Sequence, residues 1–222
     1  MSIILRQETN RSILAVWKLE ESIEDLIKLD AAQAYLNDLN QFTSNSRKLE
    51  WLAVRLLLAE LIGEHKSIAY KPNGQPYITD QTFQISISHT KGFVAILLAK
   101  EKCLGIDIEY ISDRIGRIAS RVFSPDELKF VSGPESLKHL TLMWCAKETL
   151  FKAFELSNVD FIDHLKIHPF YIKESTGDLI GQELQTKDQE CLNISYIIRE
   201  DFILTYGQKK CPDEFTSAGH SK

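Results

Sequence analysis

An α+β fold made of two similar halves related by a pseudo-twofold axis, with a ligand site expected in the cleft between them, is the architecture this 222-residue chain predicts. Three observations lead there. Two long helical stretches, one around Trp51 and one around Trp144, are each followed by strands and polar turns. One offset carries Trp51 onto Trp144, Ala53 onto Ala146 and Leu57 onto Leu150, the trace a duplicated α+β unit would leave; a solenoid would repeat at far shorter intervals, and chance likeness between two apolar helices is the alternative. The third observation is LGIDIEY, Leu104 to Tyr110, which sets two carboxylates into a run of isoleucines just past a charged join at Lys100, Glu101 and Lys102. The halves run over residues 1–100 and 101–222, and a seam between such units is a common place for a ligand.

Taken in order, SILAVWKL (Ser12 to Leu19) reads as a strand, and ESIEDLIKLDAAQAYLNDL as helical material. The next helix, SRKLEWLAVRLLLAELIG, has Leu49, Leu52, Ala53, Leu56 and Ala59 at helical spacing, with Ser46 to cap its start and Gly63 to end it. KPNGQPY holds the turn dipeptide Asn73-Gly74. FQISISHTKGFVAILLAK reads as strand, turn, strand and leads into the acidic strand. FSPDEL opens a helix with Ser124 as N-cap, Pro125 in the first turn and Glu127 completing a capping box. The helix LTLMWCAKETLFKAFEL follows, then strands around HLKIHPFYI and CLNISYIIREDFILTYG, and from Lys209 a polar, loose tail.

Composition narrows the class. At 44% hydrophobic and 26% charged residues the chain is expected to be soluble with a real core, not disordered. Its longest apolar run, FVAILLA, is too short to cross a bilayer, and MSIILRQETN lacks the features of a signal peptide, so no membrane association and a cytoplasmic location are expected. Cys103, Cys145, Cys191 and Cys211 lie far apart and read as free thiols. A net charge of −5 argues against a nucleic-acid partner but leaves an anionic small ligand open.

In LGIDIEY the period-two alternation puts Asp107 and Glu109 on one face of a strand. Two readings stand at this point. They line the wet face of an ordinary strand, or they offer a divalent metal such as Mg²⁺ two hard oxygen ligands on a rigid support. WCAKETLFKAF adds Lys147, Glu148 and Lys152, with Glu148 and Lys152 four apart on one helical face. Alone, that is an exposed ion pair worth ~0.3–0.5 kcal/mol.

Together, G-I-D-I-E, then F-S-P-D-E-L, then W-C-A-K-E-x-x-x-K resemble the ordered signature of the 4′-phosphopantetheinyl transferases, supplemented upstream by NGQPY and ISISHT. The length is similar to that of the Sfp type, in which two halves are fused in one chain, and implies a monomer. The resemblance implies transfer of the 4′-phosphopantetheine arm of coenzyme A, as co-substrate, to a serine of an apo acyl or peptidyl carrier protein. Adenosine 3′,5′-bisphosphate would be released. It implies Mg²⁺ on Asp107, Glu109 and Glu148, with Glu148 taking the serine proton, Asp107 counted with it as catalytic, and Lys152 serving the departing phosphate. Lys147 is expected at an outer phosphate or else in solvent. At the nucleotide end the resemblance implies Ser88, His89 and Arg47 near the 3′-phosphate, with Arg55 the alternative to Arg47. Where many relatives carry lysine before the proline of NGQPY, this chain has Gln75, and Lys71 is the residue that could compensate. Phe123 and Trp144 are expected in the core. Two other classes are weighed. A Mg²⁺-dependent phosphodiesterase would need neither the Ser-His pair nor the helical lysine, and a non-catalytic carrier-binding module would be marked by loss of Asp107, Glu148 or Lys152.

Overall fold

The computed structural model describes residues 1–101, 103–131 and 133–209. The expected loose tail, with Cys211, lies outside the described residues from 210 onward, and so does Lys102 of the join. The chain is α+β, with two larger antiparallel sheets, each carrying a long helix on its outer face.

The first sheet has the order β1(Ser2–Glu8), β2(Ser12–Lys18), β6(Phe93–Ala99), β5(Gln84–Thr90). The second runs β7(Leu104–Glu109), β11(Ile203–Gln208), β10(Cys191–Ile198), β9(Thr176–Glu183), β8(Leu165–Ile167). β3(Ile68–Tyr70) and β4(Pro76–Ile78) pair as a small hairpin around the Lys71 to Gln75 turn, where Gly74 takes φ 85°. Helix α2(Asn45–Ile62) covers the first sheet and α5(Ser136–Ala153) the second. α2 ends at Gly63, whose φ of 77° is the left-handed cap the sequence predicts, whereas its N-cap is Ser44 rather than Ser46. α4(Pro125–Leu128) starts with the expected capping box of Ser124 and Glu127. The stretch expected as helical from Glu21 is broken into α1(Ile23–Leu26) and two 3₁₀ segments, Asp30–Tyr35 and Asp38–Gln41, which lay Tyr35 and Leu39 against α2. The remaining helix, α3(Asp113–Val122), lies between β7 and α4.

The two sheets pack together through their inner faces. Leu14, Val16, Phe93, Ala95 and Leu97 meet Leu104, Ile106, Ile108, Ile197 and Leu204. Every residue of FVAILLA is buried because alternate side chains enter different cores: Phe93, Ala95, Leu97 and Ala99 between the sheets, Val94, Ile96 and Leu98 under α2. β7 obeys the same rule, with Leu104, Ile106 and Ile108 facing the first sheet. Gly105, Asp107 and Glu109 are thereby turned toward α5, not toward water.

At Gly105 the helix comes as near as backbone allows. A Cβ there would lie 2.1 Å from the Thr149 carbonyl oxygen and 3.1 Å from the Ala153 amide nitrogen. Thr149 anchors the helix from the other side, its Oγ1 2.7 Å from Thr205 Oγ1 on β11. The free edge of β7 meets β5 without strand pairing. Ile106 N–H donates to Ser86 Oγ at 3.1 Å and Ile108 N–H to Ser88 Oγ at 3.3 Å, so two serine hydroxyls satisfy amides that would otherwise be buried without a partner.

Gly105→Ala should destabilise the protein by ~3 kcal/mol or more, because the contact is with helix backbone that cannot turn aside. Urea unfolding checks this, and a loss below about 1 kcal/mol would mean α5 sits farther from β7 than described.

Candidate active site

Trp144, Glu148 and Lys152 recur every fourth residue on α5 and form a single column along the helix. That column faces the alternate residues of β7. Asp107, only 4% exposed, accepts from Lys152 Nζ at 2.7 Å and Ser88 Oγ at 2.8 Å, both through Oδ1. Its Oδ2 is buried with no hydrogen-bond partner among the described residues. Glu109 accepts from Trp144 Nε1 at 3.0 Å and from Thr90 Oγ1 at 3.4 Å. Lys152 also donates to the Ile106 carbonyl at 3.0 Å.

The charges strain against one another. Burial, and after it the negative charge of Asp107, raises Glu109 above the usual carboxylate range despite its two donors. Glu148 is pushed up to about 7, first by burial, then by Asp107, with Glu109 adding to it and Lys152 opposing. For Lys152 burial favours the neutral amine, but Asp107 and Glu148 outweigh it and hold the ammonium above its ordinary value. Asp107 and Glu148 share the Lys152 ammonium, while Glu109 has Arg114 as its nearby cation; the three carboxylates, one of them with an unused buried oxygen, form a donor set suited to a hard divalent cation. As they stand, no three His, Cys, Asp or Glu side chains among the described residues are arranged around a common metal position. Lys152 occupies the other oxygen of Asp107, Oδ1.

Lys152 connects this group to a cleft of about 490 Å³ lined by residues of both halves. Arg47, Gln75 and His89, three of the residues the sequence singles out for the nucleotide end, line it. Glu50, one turn beyond Arg47 on α2, lines it too, its Oε2 3.6 Å from His89 Nδ1. Gln75 Oε1 is buried there without a hydrogen-bond partner among the described residues. Arg55 is 5% exposed in the same wall, its guanidinium 3.4 Å above the Trp51 ring and bonded to the Trp51 carbonyl. Glu109 and Trp144 line a second, smaller recess of about 30 Å³ with Tyr110, Arg114 and Thr141.

Three expected cleft residues sit elsewhere. Lys147 is fully buried: its ammonium donates to Glu127 Oε2 at 2.9 Å and to the carbonyls of Val122 at 2.9 Å and Phe161 at 2.5 Å, so it is neither on a phosphate nor in solvent. Ser88 does not line the cleft; its strand position turns the hydroxyl onto Asp107 and Ile108. Lys71 is not itself in the cleft lining; it sits at the rim, held at 2.8 Å by Glu155, which is. Phe123 is in the core as expected, but Trp144 is half-buried and orients Glu109. Ser86, Thr90 and Glu50 were not singled out from the sequence. The first two carried a signal, the period-two hydroxyl row Ser86, Ser88, Thr90; Glu50 carried none beyond lying one turn from Arg47.

Comparison with known proteins bears on the family. The family model described as the 4′-phosphopantetheinyl transferase superfamily matches residues 103–206. The 4′-phosphopantetheinyl transferase AcpT of Escherichia coli O157:H7 is 30% identical over 135 residues, which cover 56% of this chain and 69% of that protein. AcpT of Escherichia coli K12 is 29% identical with the same coverage, and that of Salmonella typhi 29% identical over 125 residues, 51% of this chain and 65% of its own.

Lys147 and Glu127 form a buried ion pair whose members also hold backbone: Glu127 accepts from Ile167 N–H at 2.8 Å and Ser124 N–H at 2.8 Å. Lys147→Met should therefore cost ~3–5 kcal/mol of stability by leaving Glu127 buried without its cation. Coenzyme A affinity of the folded fraction should be unchanged. Denaturant titration beside calorimetric binding checks both; weakened binding in a fully stable variant would return Lys147 to the ligand.

Proposed function

The chain belongs to the 4′-phosphopantetheinyl transferase superfamily, and from that premise we propose that it loads an apo acyl or peptidyl carrier protein. It uses coenzyme A as co-substrate and Mg²⁺ as cofactor. The observation that carries the site assignment is the Asp107–Lys152 pair on the seam, with Asp107 Oδ2 left without a partner beside Glu148.

In this reading the serine oxygen of the carrier attacks the phosphorus that bears pantetheine, and the bond from that phosphorus to the adenosine bisphosphate oxygen breaks. Asp107, Glu109 and Glu148 would hold the Mg²⁺ ion, whose contribution when bound is Lewis-acid charge at the pyrophosphate. Glu148, the carboxylate on the helical column next to Lys152, takes the serine proton. Lys152, kept charged by Asp107 and reaching the cleft, balances the negative charge that grows on the departing phosphate. Ser88, Thr90 and Trp144 do not touch substrate; they position Asp107 and Glu109. Arg47 and His89 take the 3′-phosphate, and Gln75 lies along the nucleotide without adding charge there.

The division of labour follows the halves. Residues 1–100 supply the nucleotide contacts, and residues 101–222 the metal and catalytic groups, as in the fused Sfp type. Supporting this, the orders β2–β6–β5 and β7–β11–β10 match, each beneath an 18-residue helix. Since one chain holds both walls of the cleft, the active form is a monomer. The presence of Asp107, Glu148 and Lys152 in mutual reach speaks against a non-catalytic carrier-binding module. No helix among the described residues is long and apolar enough to cross a membrane.

The test is incubation with coenzyme A, Mg²⁺ and a panel of apo carriers, read by intact mass. Asp107→Asn and Glu148→Gln should each slow loading by ~10²–10³ and loosen the dependence of coenzyme A affinity on Mg²⁺. Lys152→Ala should depress turnover while leaving metal binding nearly intact. The reading is lost if folded Asp107→Asn and Glu148→Gln proteins load a carrier at the wild-type rate under limiting Mg²⁺.

A further inference from the structure

The cleft brings its own anion to the place where a phosphate is to bind. Glu50 and Arg47 lie one turn apart on α2 and both line it; across from them His89, at the end of β5, has Nδ1 3.6 Å from Glu50 Oε2. The Glu50 side chain is 27% exposed, so water screens its charge only in part. Ser46 Oγ, at 3.5 Å, is its other polar contact. Nothing in the packing requires a carboxylate here, since neither partner is buried and no backbone amide among the described residues depends on it.

We propose that Glu50 is a tethered competitor for the phosphate bound at Arg47 and His89, and so determines how firmly the nucleotide is held and how fast it leaves. This rests on the nucleotide-end reading given above. An incoming phosphate at Arg47 and His89 meets a like charge and must displace Glu50 from His89, which costs affinity. The cost is the same for coenzyme A and for adenosine 3′,5′-bisphosphate, because the 3′-phosphate takes no part in the bond change. Binding that is equal in ground state, transition state and product does nothing for the chemical step, so weakening it leaves that step untouched while freeing the product. Lys71 repeats the arrangement at the other rim, where Glu155 neutralises the nearest lysine of the NGQPY turn.

Calorimetric binding of coenzyme A, 3′-dephospho-coenzyme A and adenosine 3′,5′-bisphosphate to wild-type, Glu50→Gln and Glu60→Gln proteins tests this. Glu60 is exposed on the same helix, so its variant makes the same change in net charge away from the cleft. Glu50→Gln should tighten coenzyme A and the bisphosphate roughly three- to tenfold at low ionic strength, with the gain shrinking as salt is added. It should leave 3′-dephospho-coenzyme A unchanged. In turnover, the inhibition constant of the bisphosphate should fall by the same factor as the coenzyme A dissociation constant. If Glu50→Gln binds coenzyme A like wild type, or if 3′-dephospho-coenzyme A or Glu60→Gln shows an equal gain, the competitor role is wrong. Should neither wild type nor Glu50→Gln prefer coenzyme A over its 3′-dephospho form, the placement of the 3′-phosphate at Arg47 and His89 falls as well.

Discussion

One carboxylate ties the molecule together. Asp107 sits on β7, accepts from Ser88 of the first sheet and from Lys152 of the helix over the second, and is almost fully buried while doing so. Both bonds fall on Oδ1, which leaves the opposite oxygen with unused acceptor capacity in a low-dielectric place. A buried acid in that state is costly unless a cation answers it. Lys152 answers in part, and it is also the residue through which the carboxylate group reaches the large cleft. Fold and candidate chemistry thus share one interaction, and a change at Asp107 disturbs the joint between sheets as well as the site.

Geometry around that joint is set by absences of bulk. Because Gly105 has no side chain, α5 lies directly on β7, and the four-residue column of Trp144, Glu148 and Lys152 meets the two-residue column of Asp107 and Glu109 at short range. A larger residue there would meet the Thr149 carbonyl and the Ala153 amide. Close approach both buries these acids and concentrates like charge, and burial first, then the charge of Asp107, raises Glu109 and Glu148 above the ordinary carboxylate range. Such crowding makes a poor structural element and a good receptacle for a proton or a divalent cation.

Much of this was legible in the chain, and the rest was hidden for identifiable reasons. The alternation in LGIDIEY gave the strand and the common face of Asp107 and Glu109 directly. Whether that face was wet depended on Gly105, a residue whose effect appears only when its partner helix is in place. Lys147 and Lys152 look equivalent in sequence, yet the 3.6-residue turn sends one toward Glu127 and the core and the other toward Asp107. Only the Ser124 capping box hinted that Glu127 was already committed. β1 and β9 carry little signal in the sequence because their alternation is weak: most of β1 is exposed, and Gly177 and Gly181 interrupt β9. The helical pattern after Glu21 ran on past Leu26 in the sequence but is satisfied in short pieces, since α2 rewards the burial of Tyr35 and Leu39 more than a continuous helix would.

The two long helices show how similar halves can take different work. The offset that carries Trp51 onto Trp144 carries Arg55 onto Glu148, so the same helical position holds a guanidinium in one half and a carboxylate in the other. Arg55 is spent locally, stacked on Trp51, bonded to its carbonyl and sealed from water, with its charge disfavoured first by burial. A cation fixed there repels a metal ion and leaves the wall of α2 suited to anions, while three acids on the α5 side do the reverse. Those acids lie behind the cleft rather than in its lining, and Lys152 is the member of their group that reaches it. On the α2 wall Glu50 is the exception, an acid one turn from Arg47 and 3.6 Å from His89, so the two walls differ in the sign of charge they present without either being uniform.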